Sequence, residues 1–194
     1  AGYCDTLKDT RSDVEIFSWK TELDYVTSIN SRFLDGYCYT ILKDKEEHRY
    51  LYSYALRYQY GWESIVKNKK YSLEKATDLD KAKFFGASAQ RTYLIYATGS
   101  KLYAYDYVAE TTKVLEDLGD QEITLLHYDI LIDTGTNDDF FYLGTYDPSQ
   151  PKETGGTLTR YRVVNDPNNI LVEKVPGFSW SGLCKIKSID FKKY

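Results

Sequence analysis

Histidine, the side chain best suited to moving protons near neutral pH, occurs only at His48 and His127. Each lies in a strand-like stretch, and neither stands near a serine or cysteine motif that would make it the base of a nucleophilic pair. Both are expected to be structural. Carboxylates are plentiful, but a glycosidase pair drawn from distant strands would leave no local spacing. The adjacent acids Asp138-Asp139 and Glu46-Glu47 fit hairpin turns. No glycine-rich phosphate loop or dinucleotide fingerprint is present. The expectation is a chain without catalytic residues or an organic cofactor.

One stretch could hold a cation. Asp133-Thr134-Gly135-Thr136-Asn137-Asp138-Asp139 sets oxygen donors at alternate positions, with Asp133, Asn137 and Asp139 as the calcium ligands. It lacks the distal bidentate glutamate of an EF-hand loop, and a plain hairpin turn competes with that reading. The cysteines Cys4, Cys38 and Cys184 allow at most one disulfide and match no metal knuckle.

Aromatic residues are the stronger feature. The chain has 20 tyrosines and 3 tryptophans, more than packing usually requires, and an amphipathic ring can stack on a flat ligand while its polar edge hydrogen-bonds. Trp62, Tyr146 and Trp180 fall in loops and are the candidates for binding a glycan or a peptide. The tyrosines from Tyr50 to Tyr60 are expected to pack between sheets instead.

The elements that must carry these rings are strands. Tyr50, Tyr52, Tyr54, Tyr58 and Tyr60 recur at period two, which puts them on one face. Tyr37-Cys38-Tyr39-Thr40-Ile41-Leu42 alternates too, and the charged Lys43 to Glu47 joins the two as a hairpin. Tyr93 to Tyr96, the turn at Gly99-Ser100, Leu102 to Tyr107 and Val114 to Gly119 form a four-part unit. The plan recurs from Tyr142 to Glu173, with Asp147 to Thr157 as a mobile surface loop. Phe17-Ser18-Trp19 and Phe178-Ser179-Trp180 echo one another, followed by alternating Val26 to Asn30 and Ile186 to Asp190. Only Ser72 to Lys83 could hold a short helix, with an irregular loop as the alternative.

Repeats of roughly 40 to 60 residues indicate stacked or radial units. The expected fold is all-β, a β-propeller-like array of four-stranded antiparallel blades forming one segment over 1–194. Its units run roughly 14–71, 82–119, 120–177 and 178–194. A closed ring needs about four blades or more, so with three and a fraction either the two ends combine into one shared blade or, the favoured reading, further blades lie outside this chain. The absence of methionine and the start at Ala1 likewise suggest a piece of something longer.

Composition limits the partners. Hydrophobic residues at 42% and charged residues at 28% fit a folded, water-facing protein, and no apolar run approaches the roughly 18 residues of a membrane-spanning helix. The net charge is −4 with scattered lysines, so nucleic acid is not an expected partner. The runs Lys67 to Lys70 and Lys192-Lys193 are read as solvated.

Over Tyr93 to Tyr128, with Leu-Tyr-Ala-Tyr-Asp-Tyr, then Leu-Glu-Asp-Leu-Gly-Asp, then Gln121 to Thr124, the chain resembles the propeller region of PKD-like surface lipoproteins from Bacteroidetes. These accompany starch-utilisation-type uptake systems of the outer membrane. The resemblance implies a seven- or eight-bladed parent at the surface of a Gram-negative cell, lipid-anchored through a segment not in this chain. It carries no site residues. The expected function is a non-enzymatic surface module that captures a glycan or peptide, or binds a partner protein. The alternatives are a propeller glycoside hydrolase or lyase and a purely structural interaction module.

Overall fold

The computed structural model describes residues 6–9, 14–18, 24–30, 37–59, 62–87, 92–128, 139–166 and 169–189, with side chains over 39–52, 69–87, 92–128, 139–164 and 169–189. The protein is all-β. Strands β1 (Thr6–Asp9) and β2 (Val14–Ser18) pair with each other. Three four-stranded antiparallel sheets follow, each with its strands side by side in chain order. The first holds β3 (Asp24–Asn30), β4 (Tyr37–Lys43), β5 (Arg49–Gln59) and β6 (Trp62–Ser72). The second holds β7 (Phe84–Ala87), β8 (Tyr93–Thr98), β9 (Lys101–Asp106) and β10 (Thr111–Asp117). The third holds β11 (Glu122–Tyr128), β12 (Asp139–Tyr146), β13 (Gly156–Asp166) and β14 (Asn169–Leu183).

The repeat extends to hydrogen-bond register. In β3 the pairing with β4 slips between Tyr25 and Thr27, and in β11 the pairing with β12 slips between Ile123 and Leu125. These two first strands therefore carry a bulge at the third residue, Val26 or Thr124, where one extra residue bends the strand and re-aims its neighbours, whereas β7 pairs with β8 without a slip.

The chain divides into two compact units, Ala1–Lys75 and Ala76–Tyr194. Within the first, Leu51 of β5 pairs with Ile41 of β4, and both are fully buried. Tyr50 and Tyr52 point the other way and are only half-buried, with the Lys70 ammonium 3.9 Å from the centre of the Tyr50 ring. The tyrosine face is thus the wetter one here, which suits rings that keep a hydroxyl in water. The side chains of Tyr54, Tyr58 and Tyr60 lie outside the described residues.

Within the second unit the two sheets pack face to face. Ile95, Ala97, Leu102 and Ala104 from one meet Ile123, Leu126, Phe141, Leu143, Tyr161 and Val163 from the other in a single apolar core. The first strands β7 and β11 touch, and so do the fourth strands β10 and β14. Tyr128, Phe141 and Tyr161 are cross-strand partners whose rings stack, with centroids 6.0 Å and 5.2 Å apart. Such pairs add to the gain from burial itself.

On the other face of β8 and β9, Tyr96 and Tyr103 stack with centroids 5.2 Å apart. The Tyr96 hydroxyl donates to the Thr77 carbonyl at 2.6 Å, and the Tyr103 hydroxyl to Asp78 at 3.2 Å. Of the two readings left open for 72–83, short helix or irregular loop, the loop prevails. Ser72 ends β6 and Asp78 turns left-handed at φ 55°, leaving one 3-10 turn, Leu79–Lys81.

Two more expectations change. Phe178 to Trp180 do not open a fourth unit at 178–194, because β14 runs through them to Leu183, and 184–189 form no strand. The start of the first unit at 14 falls on β2, which pairs with β1 rather than with the sheet beginning at Asp24. The loop from Asp147 is well tied: the Asp147 amide donates to the Gly155 carbonyl at 2.9 Å, the Lys185 amide to Lys152 at 2.7 Å, and Asp147 accepts from the amide and hydroxyl of Ser149.

Candidate ligand-binding face

Alternation along β12 sends Phe141 and Leu143 into the core and Phe140 and Tyr142 to the opposite face of the third sheet. On β13 the residue opposite Tyr142 is Arg160. Its guanidinium carbon lies 4.2 Å from the centre of the Phe140 ring, 5.3 Å from Phe178 and 5.8 Å from Tyr142. A weakly hydrated planar cation is well held by such faces.

Strand β14 completes the face. Slips in its pairing with β13 bring Trp180 opposite Leu158 and Ser179 opposite Thr159, whose hydroxyls meet at 3.0 Å. Phe178 and Trp180 then stand edge to face, centroids 5.9 Å apart at 86°. They remain 39% and 43% exposed, the only exposed aromatic rings among the described residues. Two rings at right angles beside a caged arginine offer an apolar platform next to a directional donor group.

The residues singled out from sequence fare differently. Trp180 belongs to this face, on a strand rather than in a loop. Tyr146 does not: it ends β12, is 7% exposed, and donates its hydroxyl to the Gln150 carbonyl at 2.7 Å, with the Lys185 ammonium 4.9 Å from its ring centre. It is packed and bonded rather than free to meet a ligand. Trp62 opens β6, and its side chain lies outside the described residues. So do Asp133 and Asn137. Asp139 is buried at 4% exposure at the start of β12, where the Tyr128 hydroxyl donates to it at 3.3 Å. Among the described residues no three His, Cys, Asp or Glu side chains cluster as a metal site would require.

Of the histidines, His48 sits in the β4–β5 turn among acids. Its Nδ1 is 3.1 Å from Asp44 and its Nε2 is 3.1 Å from Glu74, with Glu46 at 3.6 Å. The hydrogen bond to Asp44 raises its pKa, and the charges of Asp44, Glu74 and Glu46 raise it further against opposing desolvation. An imidazole bonded to carboxylates through both nitrogens favours the doubly protonated form and is poorly placed as a general base.

Arg160, Phe140, Tyr142 and Phe178 were not recognisable as a set from sequence. Their spacing says only that they lie on strands; the register of β12, β13 and β14 brings them together. No protein-family model matches the chain, and no curated protein or solved structure matches it.

Proposed function

We propose that this protein is a non-enzymatic binding module built from propeller blades, and that the Phe178–Trp180–Arg160 face of its third sheet captures a glycan at a bacterial cell surface. The single observation that carries the reading is the exposed, mutually perpendicular Phe178–Trp180 pair beside an arginine whose guanidinium lies against three rings. Stacking on the apolar face of a sugar needs rigid rings that stay in water before binding. Hydrogen bonding to its hydroxyls needs a donor fork that is already oriented. The blade part of the reading is supported by three sheets that meander in chain order, two of which repeat a bulge at the same register, and by the packing of first strand on first strand and fourth on fourth in the second unit. The surface location rests on the likeness of Tyr93 to Tyr128 to PKD-like lipoproteins.

Titration calorimetry of the full chain against a panel of polysaccharides tests it. Trp180→Ala should weaken binding about tenfold or more with the melting temperature almost unchanged, because the ring is largely exposed. Equal heats from variant and parent would sink the reading. Reducing ends released from any of the same polysaccharides would instead favour the hydrolase or lyase.

A further inference from the structure

We propose that a cleft at the start of β11 binds a small organic carboxylate, at a site separate from the aromatic face and independent of it. The cleft measures about 330 Å³, within the range of small-ligand sites, which combine apolar walls with a few convergent polar groups. Phe84 and Ile123 supply apolar wall, and Lys83, Lys185 and Lys187 line it together with one acid, Glu122. That carboxylate is already engaged by Lys185 at 2.7 Å. Neither Lys83 nor Lys187 is ion-paired with a described residue. A second cavity of about 440 Å³ shares Lys185 and Lys187 and adds Lys152 and Glu153, so over both cavities four lysines stand against two acids on a chain of net charge −4.

Thr124 gives the independent indication. It is the bulged residue of β11, lines the cleft, is only 7% exposed, and its hydroxyl has no hydrogen-bond partner among the described residues. A buried hydroxyl left unsatisfied is destabilising and calls for an explanation, of which a polar group bound beside it is one. Two unpaired ammonium groups suit a single negative charge, and Glu122 in the same cleft disfavours a doubly charged phosphate. The apolar wall favours an organic body over a bare inorganic ion.

Glucuronate is a suitable probe, with glucose as its neutral counterpart and sulfate as an inorganic anion. In amide-resolved NMR titrations of the full chain, glucuronate should shift Ile123, Thr124 and the 185–187 segment saturably, glucose should not, and sulfate should bind more weakly. Lys83→Gln with Lys187→Gln, both surface changes that leave the core intact, should weaken glucuronate binding about tenfold. Thr124→Val should weaken it while melting no lower than the parent, and Trp180→Ala should leave it unchanged. The proposal is overturned if glucose or sulfate shifts the Ile123, Thr124 and 185–187 amides as strongly as glucuronate does, or if in the double lysine variant glucuronate shifts them as in the parent.

Discussion

The ring of Tyr128 occupies the space that a side chain at Gly86 would need. Through this contact β11 presses directly on the backbone of β7, and the two sheets of the second unit approach at their first strands. Gly86→Ala should therefore cost about 1–3 kcal/mol, the usual range for overpacking a filled core, read as a lower urea midpoint. Adding Tyr128→Leu should recover part of the loss by giving up the offending ring. Additive losses in the double variant would show that the contact is not what limits the packing.

Phe141 is the middle ring of the Tyr128–Phe141–Tyr161 stack and is fully buried. Phe141→Ala should destabilise the second unit by about 3–5 kcal/mol through lost burial and the cavity left behind. Denaturant unfolding measures it, and a cost under about 1 kcal/mol would mean the sheets do not share this core.

Burial pushes the Tyr161 hydroxyl up to about 12, with the charge of Glu116 adding to the effect. A raised folded value means that its contribution is whole below the unfolded value near 10 and is lost as pH rises from there through about 12. Alkaline unfolding should accordingly shift to higher pH in Tyr161→Phe. An identical alkaline limb in both proteins would contradict it.

His48 and Asp44 titrate in opposite senses. The His48 value is raised above 6.5, so its contribution is complete below 6.5 and fades as pH climbs through the folded value. For Asp44, desolvation acts upward but is outweighed by hydrogen bonds from the amide and ring of His48 and the amide of Glu46. Its value falls below 3.8, and its contribution is present above 3.8 and lost in stronger acid. NMR titration of the His48 ring should give a midpoint above 6.5 that drops in Asp44→Asn; a midpoint indifferent to that change would refute the pairing.

Arg160 should matter to stability as well as to binding, because its guanidinium fills the space between Phe140, Tyr142 and Phe178. Arg160→Ala is expected to cost about 1 kcal/mol, measured as a shift in unfolding midpoint. Arg160→Lys keeps the charge but loses the plane, and should recover less than half of that loss. Full recovery by lysine would reduce the cage to simple charge.

Much of the strand plan was legible along the chain. The alternation around Leu51, the turn at Gly99 with its positive φ of 53°, and the four-part unit all express one local rule, that successive strand side chains point to opposite faces. The same rule misled where a local pattern had no sheet to join. Ile186 to Asp190 alternates, yet 184–189 form no strand, and Trp180, read as a loop residue, lies within β14. Between the helix and the irregular loop that 72–83 left open, the structure has mostly loop, where the Tyr96 hydroxyl bonds the Thr77 carbonyl and the Tyr103 hydroxyl the Asp78 carboxylate, tertiary partners that no local pattern announces.

What the residues alone determined was the class: short amphipathic strands, polar turns, and sheets too small to bury their own apolar sides. What only the tertiary structure decided was which side chains meet. Lys83 lies far along the chain from Lys185 and Lys187, yet all three line one cleft, and Phe140, Arg160 and Phe178 become a single surface. Cross-strand register and sheet-to-sheet packing set those meetings, and both depend on bulges and on contacts distant in sequence, which no local period encodes.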